Sequence, residues 1–251
     1  MREQRHWEDF PQRLAQALPE AVIVTPDLPG NGQRHGLRSA SRIGDSVEFC
    51  RDQLRARDLL PPYRLLALSL GGMVAVEWAS RYPAEIAGAV LINTSMRPYG
   101  RFHQRLRWRN YAALAGLLLR GGAGGHDGQA RQERLILELS SNDDATRAAL
   151  LPRWLAYQRD YPVTRGNALR QLWSAARYRA PAARPPVPLL ILSAAGDRLV
   201  DPECSRRLAQ AWQLDHRQHP SAGHDLPLDD GPWVAHMVAQ AAAHWPATKP
   251  A

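Results

Sequence analysis

The sequence predicts an α/β protein, a mostly parallel sheet flanked by helices with a helical cap inserted over one edge. Short apolar runs alternate with stretches of helical periodicity over much of the chain. Those runs are apolar throughout instead of alternating with polar residues, the pattern of strands covered on both faces. Residues 97–184 lack strand character and are too long for a loop in a compact α/β pattern.

Taken in order, residues 7–18 place Trp7, Phe10, Leu14 and Leu18 at helical spacing. AVIVT (21–25) reads as a first strand and ends in the turn-forming PDLPGNG. Residues 45–60 read as a helix, RLLAL (64–68) as a second strand, and 70–82 as the helix after it. AGAVLIN (87–93) and VPLLILS (187–193) are the third and fourth strands, and the more polar DHRQHP (215–220) is a fifth. A closing helix begins in DDGPWVAHMVAQ, with aspartate before it and Pro232 in its first turn. The segment 97–184 holds helical pieces, NYAALAGLLLR, RQERLILEL and TRAALLPRWLAYQ, and a flexible glycine tract at 121–128. The core is therefore expected over 1–96 and 185–251, and the cap over 97–184.

At 251 residues with 45% hydrophobic and 22% charged content, the chain is long enough for one sizeable core and has no disordered composition. The net charge of +8 does not make a nucleic-acid binder. Lys249 is the lone lysine, so 31 of the 32 basic residues are arginines, scattered without interleaved stacking aromatics. Cys50 and Cys204 have neither zinc nor redox spacing, which predicts a reducing compartment. The opening residues hold no apolar segment of signal length, and no run approaches the roughly 20 apolar residues of a membrane span. The expectation is a soluble cytoplasmic protein with no membrane partner, no metal and no cofactor.

Ala67-Leu68-Ser69-Leu70-Gly71-Gly72 sits between an apolar strand and a helix. A small-x-Ser-x-small pattern on such a turn lifts the hydroxyl above the sheet, the geometry of a nucleophile elbow, here with alanine where glycine is usual. The helix that follows aims its free N–H groups at the site, making the Leu70 amide an oxyanion donor. A serine that merely caps a helix would fit this stretch alone. A nucleophilic serine also needs a base and an orienting acid, found beyond the carboxyl ends of later strands. The fourth strand runs into SAAGDRLVDP, placing Asp197 just past it, and the fifth into SAGHDLPLDD, placing His224 in a loop. Asp201 lies deeper, before Pro202, where capping suits it better, and His219 precedes a proline at a strand end. The third strand ends in NTSMRP, with Asn93 and no carboxylate.

With the order Ser, Asp, His, the chain resembles the α/β-hydrolases, in particular the single-domain, capped serine hydrolases that include small esterases and thioesterases. DLPGNG (27–32), LSLGG (68–72), GDRLVD (196–201) and AGHDLPLDD (222–230) carry the resemblance. It implies a catalytic set of Ser69, Asp197 and His224, an oxyanion donor at Leu70, and a small-molecule acyl ester or thioester, free or carrier-linked, as substrate. Trp108, Tyr111 and Trp154, with Leu117–Leu119, Tyr157 and Trp173, are candidates to line the acyl pocket, and Arg101, Arg105, Arg107 and Arg109 to meet an acidic carrier. Asp27 is expected to fix loop backbone. A lyase using the same three residues, or a non-catalytic binding protein, are the alternatives.

The resemblance also implies strands ahead of Trp7, one of them central and ending in a loop that supplies a second oxyanion amide. Nothing in the sequence corresponds to it. We therefore expect Met1 to be an internal or mis-assigned start with about 25–35 residues upstream, judging by usual strand and loop lengths. Otherwise AVIVT shifts across to pair directly with RLLAL, and loss of one oxyanion donor costs roughly 10²–10³ in turnover.

Overall fold

The apolar runs RLLAL, AGAVLIN and VPLLILS become neighbouring strands. The structure, a computed structural model describing residues 2–120 and 125–245, forms a four-stranded sheet from β1 (Tyr63–Leu68), β2 (Ile86–Ile92), β3 (Leu189–Ala194) and β4 (Asp215–His219). All pairings are parallel and the order is β1-β2-β3-β4. β2 and β3 are buried at every position, whereas the flanking β1 and β4 are half-buried or exposed at most of theirs. This is why β2 and β3 are apolar at every position but Ser193, whose hydroxyl meets His216 Nε2 at 2.8 Å, and DHRQH is not.

Before the sheet come α1 (Phe10–Ala17) and α2 (Ile43–Arg55), and β1 leads into α3 (Leu70–Arg81). Side chains of successive strand residues point to opposite faces. Ala89, Leu91, Leu189 and Ile191 share a core with Val47 of α2 and Val76 of α3. Val90, Ile92, Leu190 and Leu192 share the other with Phe10 and Leu14 of α1. Each such aliphatic side chain contributes roughly 1.5–3 kcal/mol by burial. α3 is apolar on nearly every side because it lies between sheet and α2, and it stops at Tyr82, whose following Pro83 disfavours helical backbone.

The expected cap holds α4 (Phe102–Arg105), α5 (Tyr111–Arg120), α6 (Gly125–Ser140), α7 (Asp144–Asp160) and α8 (Arg165–Arg177). Residues 121–124 of the glycine tract lie outside the described residues. A bridge between Arg97 and Arg179 closes the base of this insertion, with Ala180 N–H donating to Arg97 O at 2.7 Å. α8 is fastened to the loop below it: Asn167 Oδ1 accepts from Ser39 N and its Nδ2 donates to Leu37 O, each at 2.9 Å, while Gln171 Nε2 reaches Asn31 Oδ1 at 3.2 Å. The chain closes with α9 (Glu203–Trp212), α10 (Leu226–Asp229) and α11 (Gly231–His244). Asp230 caps α11 by accepting from Trp233 N at 3.0 Å, as its place before Pro232 predicts.

Two expectations need correcting. AVIVT forms no ladder with RLLAL or any other strand, because β1 pairs on one side alone, with β2. Ile23 and Val24 nevertheless pack against the two different cores, as successive residues of a strand would. The helix expected over 7–18 is broken: a 3₁₀ turn covers Gln4–Trp7, Glu8 reverses the chain with φ 52°, and α1 starts afresh at Phe10 with Pro11 in its first turn. Glu8 is held there by Trp154, whose Nε1 donates to its Oε1 at 2.7 Å.

Candidate active site

Ser69 follows the last residue of β1 and precedes the first of α3, with φ 55° and ψ −114°. Positive φ in a residue with a Cβ is strained and persists where its surroundings impose it. Here Ser69 N–H donates to Ile92 O at 2.8 Å, and Ser69 O accepts from Gly72 N at 3.0 Å and from Thr94 Oγ1 at 2.9 Å. The Ser69 side chain makes no capping bond to α3, so this is not the ordinary serine cap. The two glycines differ in their reasons. A Cβ on Gly72 would stand 2.5 Å from Thr94 Oγ1, whereas one on Gly71 would meet only Ala67 Cβ at an ordinary 3.7 Å. The Leu70 amide heads α3 among the first-turn N–H groups that a helix leaves without internal partners.

Asp197 occupies the turn just after β3, its N–H donating to Ala194 O at 3.2 Å. Its Oδ1 accepts from Leu199 N and Val200 N, each at 2.8 Å, and its Oδ2 meets His224 Nδ1 at 2.7 Å. Both residues are buried. A carboxylate acceptor at Nδ1 fixes the proton there and leaves Nε2 as the basic nitrogen. Burial works against a charged imidazole, but attraction to and hydrogen bonding with Asp197, then attraction to Asp225, outweigh it, and Arg2 opposes them; the balance leaves His224 above its ordinary pKa. The rival residues are otherwise engaged. Asp201 Oδ1 accepts from Glu203 N at 3.0 Å at the start of α9, and His219 lies between Asp230 Oδ2 (3.1 Å) and Ala222 N (2.9 Å).

Asp225 is a second buried carboxyl beside the histidine, pushed up to about 6 by burial, with Arg2 and His224 pulling it down and Asp229 and Glu8 pushing it up. Nothing in the sequence distinguished it from the loop around it. The same holds for Asn142, whose Nδ2 donates to Gly196 O at 3.0 Å and Ser221 O at 2.9 Å, joining the aspartate and histidine loops from the turn between α6 and α7. Asp229 accepts from Gly223 N at 2.6 Å and Asn142 N at 3.0 Å. Asp27 accepts from Gln4 N at 2.8 Å and Gln33 N at 3.0 Å, around Gly30 and Gly32 with φ 88° and 48°, so it holds loop backbone.

The cap aromatics separate. Trp154 is fully buried, with Arg2 3.8 Å over its ring and His6 packed edge-on, so it joins cap to core instead of presenting a wall to a ligand. Trp108 is 64% and Trp173 56% exposed on the outer surface, and Tyr111 hydroxyl donates to Phe102 O at 3.4 Å. Tyr157 lines a cavity of about 110 Å³ with Arg2, His6, Gln158 and Tyr161. The side chains of Leu117–Leu119 lie outside what the structure describes. Arg105 is committed to the fold, donating to Ala175 O and Ala176 O at 2.5 and 3.1 Å. Among the described residues no group of three or more His, Cys, Asp or Glu could hold a metal ion.

A strained serine on a strand-to-helix turn, with an Asp–His pair on the next loops at the same sheet end, belongs to the class of α/β-hydrolase-type proteins. The model of the alpha/beta hydrolase family matches residues 3–237, and the chain is a member of that family. Among solved structures it is similar to the enol-lactonase from Burkholderia xenovorans LB400 (TM-score 0.72, 17% identity, covering 94% of this chain and 86% of that one). It is also similar to a thermophilic esterase from Thermogutta terrifontis (TM-score 0.67, 18% identity, 92% and 84% covered). Among curated proteins, 94 residues are 36% identical to the biotin biosynthesis bifunctional protein BioHC of Teredinibacter turnerae, and 106 are 28% identical to a putative 2-succinyl-6-hydroxy-2,4-cyclohexadiene-1-carboxylate synthase of Haemophilus influenzae. The matches span 37% and 39% of this chain and 15% and 42% of those proteins.

Proposed function

We propose that the chain is a serine hydrolase cleaving an ester or thioester of a small or medium acyl group. The observation that carries this is the 2.7 Å contact between His224 Nδ1 and Asp197 Oδ2, at the sheet end where Ser69 is held at φ 55°. In this reading Ser69 Oγ attacks the carbonyl carbon while His224 Nε2 takes its proton. Asp197 holds the imidazole in the Nδ1–H tautomer and stabilises the imidazolium. The Leu70 N–H receives the developing oxyanion. The protonated His224 then gives its proton to the leaving alcohol or thiol, and water, deprotonated by the same nitrogen, releases the acid. The similarity to an esterase and an enol-lactonase supports this chemistry for the acyl group.

A fluorophosphonate probe tests the reading. Wild type should be labelled at Ser69 and Ser69→Ala should not, and a panel of p-nitrophenyl esters of increasing chain length then sizes the acyl site. Absence of labelling in folded wild type overturns it. If the substrate is carrier-linked, turnover should fall with salt as Arg101, Arg107 and Arg109 lose attraction for an acidic carrier. The similarity to the cyclohexadiene-carboxylate synthase named above motivates a second reading, elimination by the same residues; labelling of Ser69 without hydrolysis of any simple ester would select it. We place the protein in the cytoplasm, where the free buried thiols Cys50 and Cys204 stay reduced; no helix among the described residues is long and apolar enough to cross a membrane.

A further inference from the structure

At the carboxyl end of β2, the tripeptide Ile92-Asn93-Thr94 touches all three loops that carry the proposed chemistry. Ile92 O accepts from Ser69 N at 2.8 Å, and Thr94 Oγ1 donates to Ser69 O at 2.9 Å. Between them, Asn93 has φ 45°, a left-handed conformation that asparagine tolerates better than most side chains. Its side chain is buried and fully used. Nδ2 donates to His224 O at 2.8 Å and to Gly223 O at 3.2 Å, and Oδ1 accepts from Ala194 N at 2.9 Å. Ala194 is itself the residue whose carbonyl accepts from Asp197 N at 3.2 Å. Asn93 N–H donates to Leu192 O at 3.0 Å, so its backbone is fastened to β3 as well.

We infer that Asn93 is a positioning residue that fixes the His224 loop against the Ser69 turn and the Asp197 turn. This rests on the serine-hydrolase reading. The amide is suited to the task because the site needs a donor on one side and an acceptor on the other within a single planar group. An aspartate of the same shape keeps the acceptor for Ala194 N–H but sets a second oxygen against two carbonyls. A glycine keeps the left-handed backbone and removes both bonds. Asn93 does not touch the reacting atoms; it acts through the backbone of His224.

The test compares Asn93→Gly and Asn93→Asp with wild type. Expected are a fall in kcat of roughly 10- to 100-fold, by analogy with the partners that orient metal-ligating histidines, with KM nearly unchanged, and a matching slowing of fluorophosphonate labelling. The downfield NMR proton of His224 Nδ1–H, reporting the bond to Asp197, should move or broaden in both variants. A resonance left in place, together with wild-type kcat in the folded variants, overturns the inference. Because the resonance reports imidazole placement whether or not esters are cleaved, unlabelled wild type would sink the hydrolase reading, and the NMR comparison would still decide the role of Asn93.

Discussion

His224 is surrounded by more charge than a single aspartate supplies. Asp197 and Asp225 raise its pKa and Arg2 lowers it. In the proposed mechanism His224 works as neutral imidazole, so the acid limb of a kcat/KM profile should lie above the ordinary histidine value of about 6.5. Asp225→Asn should move that limb down and Arg2→Gln should move it up; stopped assays across pH decide both, and a limb indifferent to the two changes would contradict the electrostatics. Asp225 also makes a stability prediction. Its carboxyl is raised in the fold from 3.8 to about 6, so the folded protein binds the extra proton and is favoured at low pH. That advantage is lost as pH rises through this window, and ionised Asp225 then burdens the fold. Asp225→Asn should therefore raise Tm at about pH 8 and much less near pH 4, read by thermal melts in matched buffers.

At the level of elements, the strand-to-helix turn yields two opposite predictions from adjacent glycines. Gly71 has room for a methyl group, so Gly71→Ala should stabilise α3 by about 0.5–1 kcal/mol through helix propensity. Gly72→Ala drives a Cβ into Thr94 and should destabilise by about 1–3 kcal/mol. Thermal or urea unfolding distinguishes them, and Gly72→Ala/Thr94→Ala should lose less than the sum of the single changes. The motif asks for a small residue at Gly71 and says nothing of Gly72; the packing reverses that emphasis, since Gly72 is the crowded position. The strands β1 to β3 were legible because apolar runs of that length have few other fates in a chain this regular, whereas the polar β4 carried a weaker signal. AVIVT was misread for the same reason: composition marks a segment suited to bury both faces, and Ile23 and Val24 are partly buried against the two cores while Val22 is exposed, but pairing depends on a neighbour that composition does not report. Trp7 and Phe10 share a helical period, yet Glu8 turns the chain between them to meet Trp154, a partner far along the sequence.

Across the whole molecule, the part of the candidate site that motifs announce is Ser69, Asp197 and His224, each in the turn or loop that follows a strand. Asn93, Asn142, Asp225 and Asp229 left no such mark because their work is done on backbone groups that the fold alone brings near. The cap was least legible. Its aromatics read as an acyl pocket, but Trp154 serves the seam between cap and core. Trp154→Phe should keep most of the packing and strand the Glu8 acceptor, costing about 1–3 kcal/mol, whereas the same change at exposed Trp173 should be silent; unfolding curves check the pair. The seam matters for how a substrate gets in. Ser140 O accepts from Asp225 N at 2.7 Å, and Asn142 grips the loops of the aspartate and the histidine at once. Lifting the expected cap at this seam would pull on the turns of Asp197 and His224 together, so under the proposed mechanism a substrate would be admitted by yielding elsewhere along the rim, with the proposed triad still assembled.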